Sequence, residues 1–194
     1  MDSTSLIETR IEAHIDTLAR ISRDETLKAA IAGAIDEIAA CFRSGGRVYF
    51  CGNGGSAADA QHLAAEFSGR FYLDRPVLPS EALHCNTSYL TAVANDYGYG
   101  DVFARIISGI GNRGDILVGL STSGNSDNIL RAFSVCREKG IRTLAMTGAS
   151  GGRMKELADR LINVPSTDTP RIQEAHITIG HIICEQVEQI IFGD

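Results

Sequence analysis

Residues 115–120 read DILVGL, one acid followed by an unbroken apolar run, and the run stops at STSGNS, residues 121–126. Such a run, with no polar alternation, suits a strand buried on both faces, as in the middle of a parallel sheet. RVYFCG at 47–52 and IRTLAMTG at 141–148 have the same form, the second ending in a turn. Short strands are also expected over 81–86 and in LINVP at 161–165. Helices are expected over 56–68, 87–94, 100–111, 127–140 and 151–160, and FYLDRPVLPS at 71–80 reads as a loop with two prolines. A last helix starts at Thr169-Pro170, with Thr169 as cap, and runs to about residue 191. Strands alternating with helices imply an α/β fold, a parallel sheet covered on both faces.

Ahead of this pattern, residues 3–43 are helical in period. Leu6, Ile7, Ile11, Ile15, Leu18 and Ile21 form one stripe; Leu27, Ile31, Ile35, Ile38 and Phe42 form a second, which stops at Ser44-Gly45-Gly46. No linker, repeat or low-complexity tract interrupts the 194 residues, so one domain over 1–194 is expected.

Charge and composition narrow the functions. The net charge of −6 disfavours a surface devoted to nucleic acid, and an aromatic content of 6% with no Trp leaves few platforms for stacking bases. No apolar run approaches the roughly 18–20 residues that span a bilayer. The charged N-terminus lacks a signal peptide's apolar stretch. Cys41, Cys51, Cys85, Cys136 and Cys184 are scattered, without a CxxC pair, as expected of a reduced cytoplasmic protein.

Two segments share one design: strand, small polar loop, helix start. The first is CGNGGS at 51–56 and the second STSGNS at 121–126. Ligands of open parallel sheets sit beyond the carboxyl ends of the strands, where helix N-termini favour phosphate. Ser121, Thr122, Ser123 and Ser126 can add hydroxyl donors, and glycine lets backbone approach closely. Serine and glycine also make ordinary turns and caps, and that reading stands beside the first. A Walker A loop is excluded because no Lys follows the glycines. Gly52, Gly54 and Ala57 fit a dinucleotide fingerprint with Asp74 downstream, but Asp74 sits in the proline loop and not at a strand end.

The helix after the first loop carries His62 and Glu66, one turn apart on one face, with Leu63, Ala64 and Ala65 between them. An exposed pair on a solvated helix is one reading. A largely buried helix is the other, and there the carboxylate needs a partner. On the last helix Ile172, Ile179, Ile183, Val187 and Ile190 form a core stripe. Gln173 and His181 point within roughly 80° of each other, whereas His176 points about 140° away from His181. Spacing leaves these as two half-sites.

CGNGGSAADAQHLAAEF, the Asn95-Asp96 pair in AVANDYG, STSGNS and RIQEAHITIGH together resemble the phosphoheptose isomerases of the sugar isomerase (SIS) fold, in order over nearly the whole chain. The resemblance implies a five-stranded parallel sheet flanked by helices, in a homotetramer packed partly through the helical region 1–44. It implies conversion of sedoheptulose 7-phosphate to D-glycero-D-manno-heptose 7-phosphate, the first step toward nucleotide-activated heptose for lipopolysaccharide and related glycans. By motif match, Asn53, Gly54, Gly55, Asn95, Asp96, Ser121, Thr122, Ser123, Ser126 and Gln173 would contact substrate. Glu66 and His181 match the catalytic pair, and Glu66 also faces substrate. Some members bind zinc at positions matching His62, Glu66, Gln173 and His181, which implies a place for one zinc ion per subunit. Partners are then a sugar phosphate and further copies of the chain, with no nucleic acid and no membrane.

Three alternatives stay open. Related SIS proteins without the enzyme's pair bind the replication initiator, and others sense sugar phosphates; this chain keeps both Glu66 and His181. A six-carbon phosphosugar isomerase would use the same chemistry. NAD binding through the first loop is the third.

Overall fold

The computed structural model describes residues 2–193, so Met1 and Asp194 of the expected 1–194 domain lie outside the described residues. Two N-terminal helices, α1 (Ser3–Arg23) and α2 (Glu25–Arg43), lead into β1 (Val48–Gly52) and α3 (Gly55–Ser68). Then come β2 (Ser80–Ala82), α4 (Thr87–Asp96), α5 (Val102–Ile110), β3 (Ile116–Ser121) and α6 (Asp127–Lys139). The chain ends through β4 (Arg142–Thr147), β5 (Arg160–Asn163) and α7 (Thr169–Phe192).

All five strands are parallel, in the order β2-β1-β3-β4-β5. The chain crosses the sheet in opposite directions on leaving β1 and β3, so a topological switch point lies between those neighbours. Their carboxyl ends are level, with Gly52 opposite Leu120, so both polar loops emerge side by side.

Alternate residues of each strand feed two cores, as the pleat requires. Phe50, Val118 and Leu144 pack with Ile38 of α2, Phe67 of α3 and Ile179 and Ile183 of α7. Tyr49, Leu117 and Ala145 pack with Val93 of α4, Phe103 of α5 and Phe133 of α6. This is the three-layer αβα arrangement expected from the strand runs.

Local departures have local causes. The helical stretch 3–43 is two helices because Asp24 is extended, ending α1 and capping α2 by accepting from the Leu27 N–H at 2.9 Å. Tyr99–Asp101 forms a 3₁₀ turn ahead of α5. The helix expected at 151–160 is only a 3₁₀ turn, Gly152–Glu156, entered through left-handed Gly151 and Gly152. Asp168, not Thr169, is the N-cap residue of α7, and Pro170 occupies the first turn as expected. Ile190 is 37% exposed and leaves the core stripe. Among the described residues no helix is long and apolar enough to cross a membrane.

Candidate active site

The glycine loop turns through Gly54, whose φ of 56° lies in the left-handed region. Its next residue makes room for another element. A Cβ on Gly55 would lie 2.5 Å from Gln173 Nε2, so the Gln173 carboxamide rests on the bare backbone at the start of α3. The first loop and α7 are thereby joined at Gln173.

Further along, α3 and α7 approach again. A Cβ on Gly180 would lie 2.5 Å from Leu63 Cδ1, closer than packed carbons allow. Gly180 precedes His181 and Leu63 follows His62, so this close crossing brings the two imidazoles together. Their Nε2 atoms lie 2.9 Å apart, one ring donating and the other accepting. His62 Nε2 is also 3.1 Å from Glu66 Oε1. The two half-sites are therefore one cluster. Glu66 has the partner that a buried carboxylate needs, its side chain being 21% exposed against 49% for His62. The helix α3 is half-buried rather than largely buried: Ala60, Leu63, Ala64 and Phe67 face the core, while His62 and Ala65 face outward.

One ligand atom from each of His62, Glu66 and His181 falls within 4.8 Å of the others. Tetrahedral ligands at about 2.0–2.1 Å from zinc sit about 3.3 Å from one another, a few tenths of an ångström beyond the nitrogen–nitrogen and nitrogen–oxygen separations above. Two imidazoles and a carboxylate are also a fitting donor set for that ion. The ring of Phe71 lies beside the cluster, 5.8 Å from the His181 ring centre.

The second loop is rich in hydroxyls that already bond one another. Ser121 Oγ lies 2.8 Å from Ser126 Oγ and 3.5 Å from Ser123 Oγ. Gly124 takes a left-handed φ of 67°. Thr122 and Ser123 line an open cleft of about 280 Å³ together with Ser150, Ser166 and Thr167. Asn53, at the start of the first loop just after β1, is tied to the helix that follows the second. Its Nδ2 donates to Asn128 Oδ1 at 3.0 Å, and Asn128 Nδ2 donates back to Asn53 Oδ1 at 2.9 Å. The Tyr99 hydroxyl donates to the same Asn53 oxygen at 3.0 Å.

Asn95 and Asp96 are exposed at the end of α4, where Asn95 Nδ2 donates to Asp96 Oδ1 at 2.8 Å. Among the described residues neither side chain bonds to the loops or to the histidine cluster. His176 stands apart, as its helical angle requires. It is fully buried, and its Nε2 donates to the Thr147 carbonyl at 3.2 Å. Burial holds its imidazole neutral, down to about 4, against the opposing pull of that hydrogen bond. Cys51 is fully buried and burial pushes its thiol well up, so it is a small core residue.

Sequence reasoning passed over Asn128, Tyr99 and Asp59. Asn128 is buried in the first turn of α6, an unusual place for an amide, and only the fold shows that it meets Asn53. Asp59 lies three residues before His62 on α3, and its Oδ2 is buried without a partner. Burial pushes its carboxyl up to about 6, with His62 pulling the other way. The i, i+3 spacing was its signal.

Residues 11–148 match the family model described as the SIS domain, the class that the switch-point loops on a parallel sheet define here. A phosphoheptose isomerase of Aneurinibacillus thermoaerophilus is 50% identical over 186 residues, 96% of this chain and 94% of that one. A phosphoheptose isomerase of Mycobacterium tuberculosis is 54% identical over 185 residues, 94% of each chain. The solved structure of a phosphoheptose isomerase from Francisella tularensis superposes with a TM-score of 0.93 at 35% identity, covering 97% of this chain and 100% of that one. The chain belongs to the phosphoheptose isomerases of the SIS domain family.

Proposed function

We propose that this chain isomerises sedoheptulose 7-phosphate to D-glycero-D-manno-heptose 7-phosphate, the entry step to nucleotide-activated heptose. The observation that carries the reading is the convergence of Glu66 with His62 and His181 at the α3–α7 crossing. Family membership supports it.

The reaction moves one proton between adjacent carbons and one between their oxygens. Glu66 takes the C1 proton of the ketose, leaving a cis-enediol, and returns it to C2. His181 carries the hydroxyl proton from O1 to O2, so the charge on the enediol oxygens never builds up. The phosphate, at the far end of the sugar, rests on the hydroxyls of Ser121, Thr122, Ser123 and Ser126. Asn53, Gly54, Gly55, Asn95, Asp96 and Gln173 orient the chain of carbons between. Asn53 is suited to this because Asn128 and Tyr99 fix its amide.

His62, Glu66 and His181, with Gln173 as a fourth and weaker donor, would hold one zinc ion. Bound there, zinc supplies Lewis acidity at the sugar carbonyl. The assembly we infer is a homotetramer. Its support is the outer stripe of α1, where Leu6, Ile7, Ile11 and Ile15 are 44–59% exposed. One SIS domain then fills the chain, with region 1–44 serving the packing. The five free cysteines, four of them buried, support a reducing cytoplasm.

The test is to incubate the protein with sedoheptulose 7-phosphate, and separately with fructose 6-phosphate, in D₂O and follow the sugars by NMR. Conversion of the heptulose alone, with and without added zinc as needed, is the expected result. Conversion of the hexose alone would reassign the substrate, and no conversion of either would overturn the enzyme reading.

A further inference from the structure

Residues 69–79 cross the surface between α3 and β2 without regular structure, yet one buried ion pair ties them down. The side chains of Arg75 and Glu188 are 2% and 0% exposed, and Arg75 Nε donates to Glu188 Oε1 at 2.8 Å. The remaining capacity of both groups is spent on backbone. Glu188 accepts from three successive N–H groups, those of Phe71, Tyr72 and Leu73, at 3.0, 2.7 and 2.9 Å. Arg75 donates to the carbonyls of Glu66 and Phe67, at 2.9 and 2.8 Å, in the last turn of α3.

The groups so joined are those around the histidine cluster. The Glu66 carbonyl is held by Arg75, while the Glu66 side chain reaches the site. Glu188 is seven residues beyond His181 on α7, two turns along and on the same face. Phe71, the first N–H held by Glu188, lies against the His181 ring. A buried pair is poor evidence for stability, since apolar residues of the same volume often serve as well. Its particular contribution here is geometric, because each bond fixes one element against another.

We propose that Arg75 and Glu188 are positioning residues for the isomerisation, holding the Glu66 backbone, the His181 helix and Phe71 in one fixed relation. This rests on Glu66 and His181 carrying the proton transfers. Neither Arg75 nor Glu188 touches substrate; they act through the α3 terminus, α7 and the segment 69–79.

Two charge-conserving variants test it. Arg75→Lys keeps the cation but cannot bridge the carboxylate and both α3 carbonyls. Glu188→Asp keeps the anion but withdraws it by one methylene. Ile116→Val, at the amino end of β3, is the control for plain loss of stability. In folded Arg75→Lys and Glu188→Asp we expect kcat to fall about 10- to 100-fold, as for a small misplacement of reacting groups. KM for sedoheptulose 7-phosphate should change less than about twofold, because the hydroxyl loop is untouched. The imidazole ¹⁵N signals of His62 and His181 should shift in both variants and stay in place in the control.

Folded variants that keep kcat, or lose no more than the control, overturn the proposal. If neither variant folds, Phe71→Leu takes their place, with the same split of kcat from KM expected and its absence overturning the proposal. If the unaltered protein converts no sugar, the reading of the reaction fails. The imidazole signals then decide the positioning claim alone, unmoved signals overturning it.

Discussion

The two strand-end loops share a plan and differ in what they provide. CGNGGS after β1 offers backbone: Gly54 turns the chain and Gly55 leaves a space that Gln173 of α7 fills. STSGNS after β3 offers its own side chains, three of whose hydroxyls already lie within reach of one another. The first loop is thus completed by a distant helix, while the second is nearly complete by itself. A loop that depends on a partner element should tolerate little change in either. A self-contained loop should lose function in graded steps.

The largest effect should fall on the helix that the glycine loop starts. Glu66→Gln is expected to lower kcat by about 10³-fold or more, near the upper range for general base catalysis. Sugar-phosphate binding, measured by calorimetry, should persist. Turnover above a tenth of the unaltered rate would remove Glu66 from the role of base.

His176, next in size, reports on the floor of the second loop. It holds the Thr147 carbonyl, and the neighbouring Gly148 N–H donates to the Thr122 carbonyl. Because its folded pKa is lowered to about 4, the unfolded chain binds the extra proton first as pH drops below about 6.5. Stability should therefore be full above that pH and fall through the window down to about 4. The loss assigned to His176 is about 3 kcal/mol. Denaturant unfolding of His176→Gln should show that much less acid sensitivity than the unaltered protein. Equal slopes would show that the imidazole is not kept neutral.

Gly55→Ala sharpens the comparison directly, since the added methyl meets Gln173. We expect kcat/KM to fall about 10- to 100-fold, with about 1–3 kcal/mol of stability lost to overpacking. Full activity would mean that the loop and α7 separate without consequence. The smallest effect is expected from Ser123→Ala. One hydroxyl lost from an anion site should raise KM about 10-fold and leave kcat nearly unchanged. A larger fall in kcat than in binding would place Ser123 nearer the reacting carbons than the phosphate.

The sheet was legible because buried parallel strands are apolar throughout: Ile116–Ser121 and Arg142–Thr147 stand within a residue of their expected places. The His62–Glu66 pairing was legible from helical spacing, and the exclusion of His176 from helical angle. That His181 meets His62 came from the resemblance and not from spacing, because the meeting depends on the Gly180–Leu63 crossing, a contact between elements far apart in sequence. Asn128 was missed for the same reason. Tyr99 was missed because its turn carries no periodic signal. The Gly151-Gly152 turn was read as a helix because its flanking residues favour one, whereas two left-handed glycines hold it to a single 3₁₀ turn. The joint at Asp24 falls in the gap between the two apolar stripes, which stop at Ile21 and resume at Leu27, where only the extended backbone of Asp24 separates two helices.

The level pairing of Gly52 with Leu120 also bears on how the molecule comes into being. A nascent chain ending before β3 holds the glycine loop and Glu66 but has no hydroxyl loop. One ending before His181 lacks half the histidine cluster. Helices such as α1 and α2 can form within microseconds, whereas joining β1 to β3 must first close the long segment between them. Catalytic competence is therefore among the last properties to appear on refolding. The interval between recovery of helical circular dichroism and recovery of turnover is a clock for closure of the sheet.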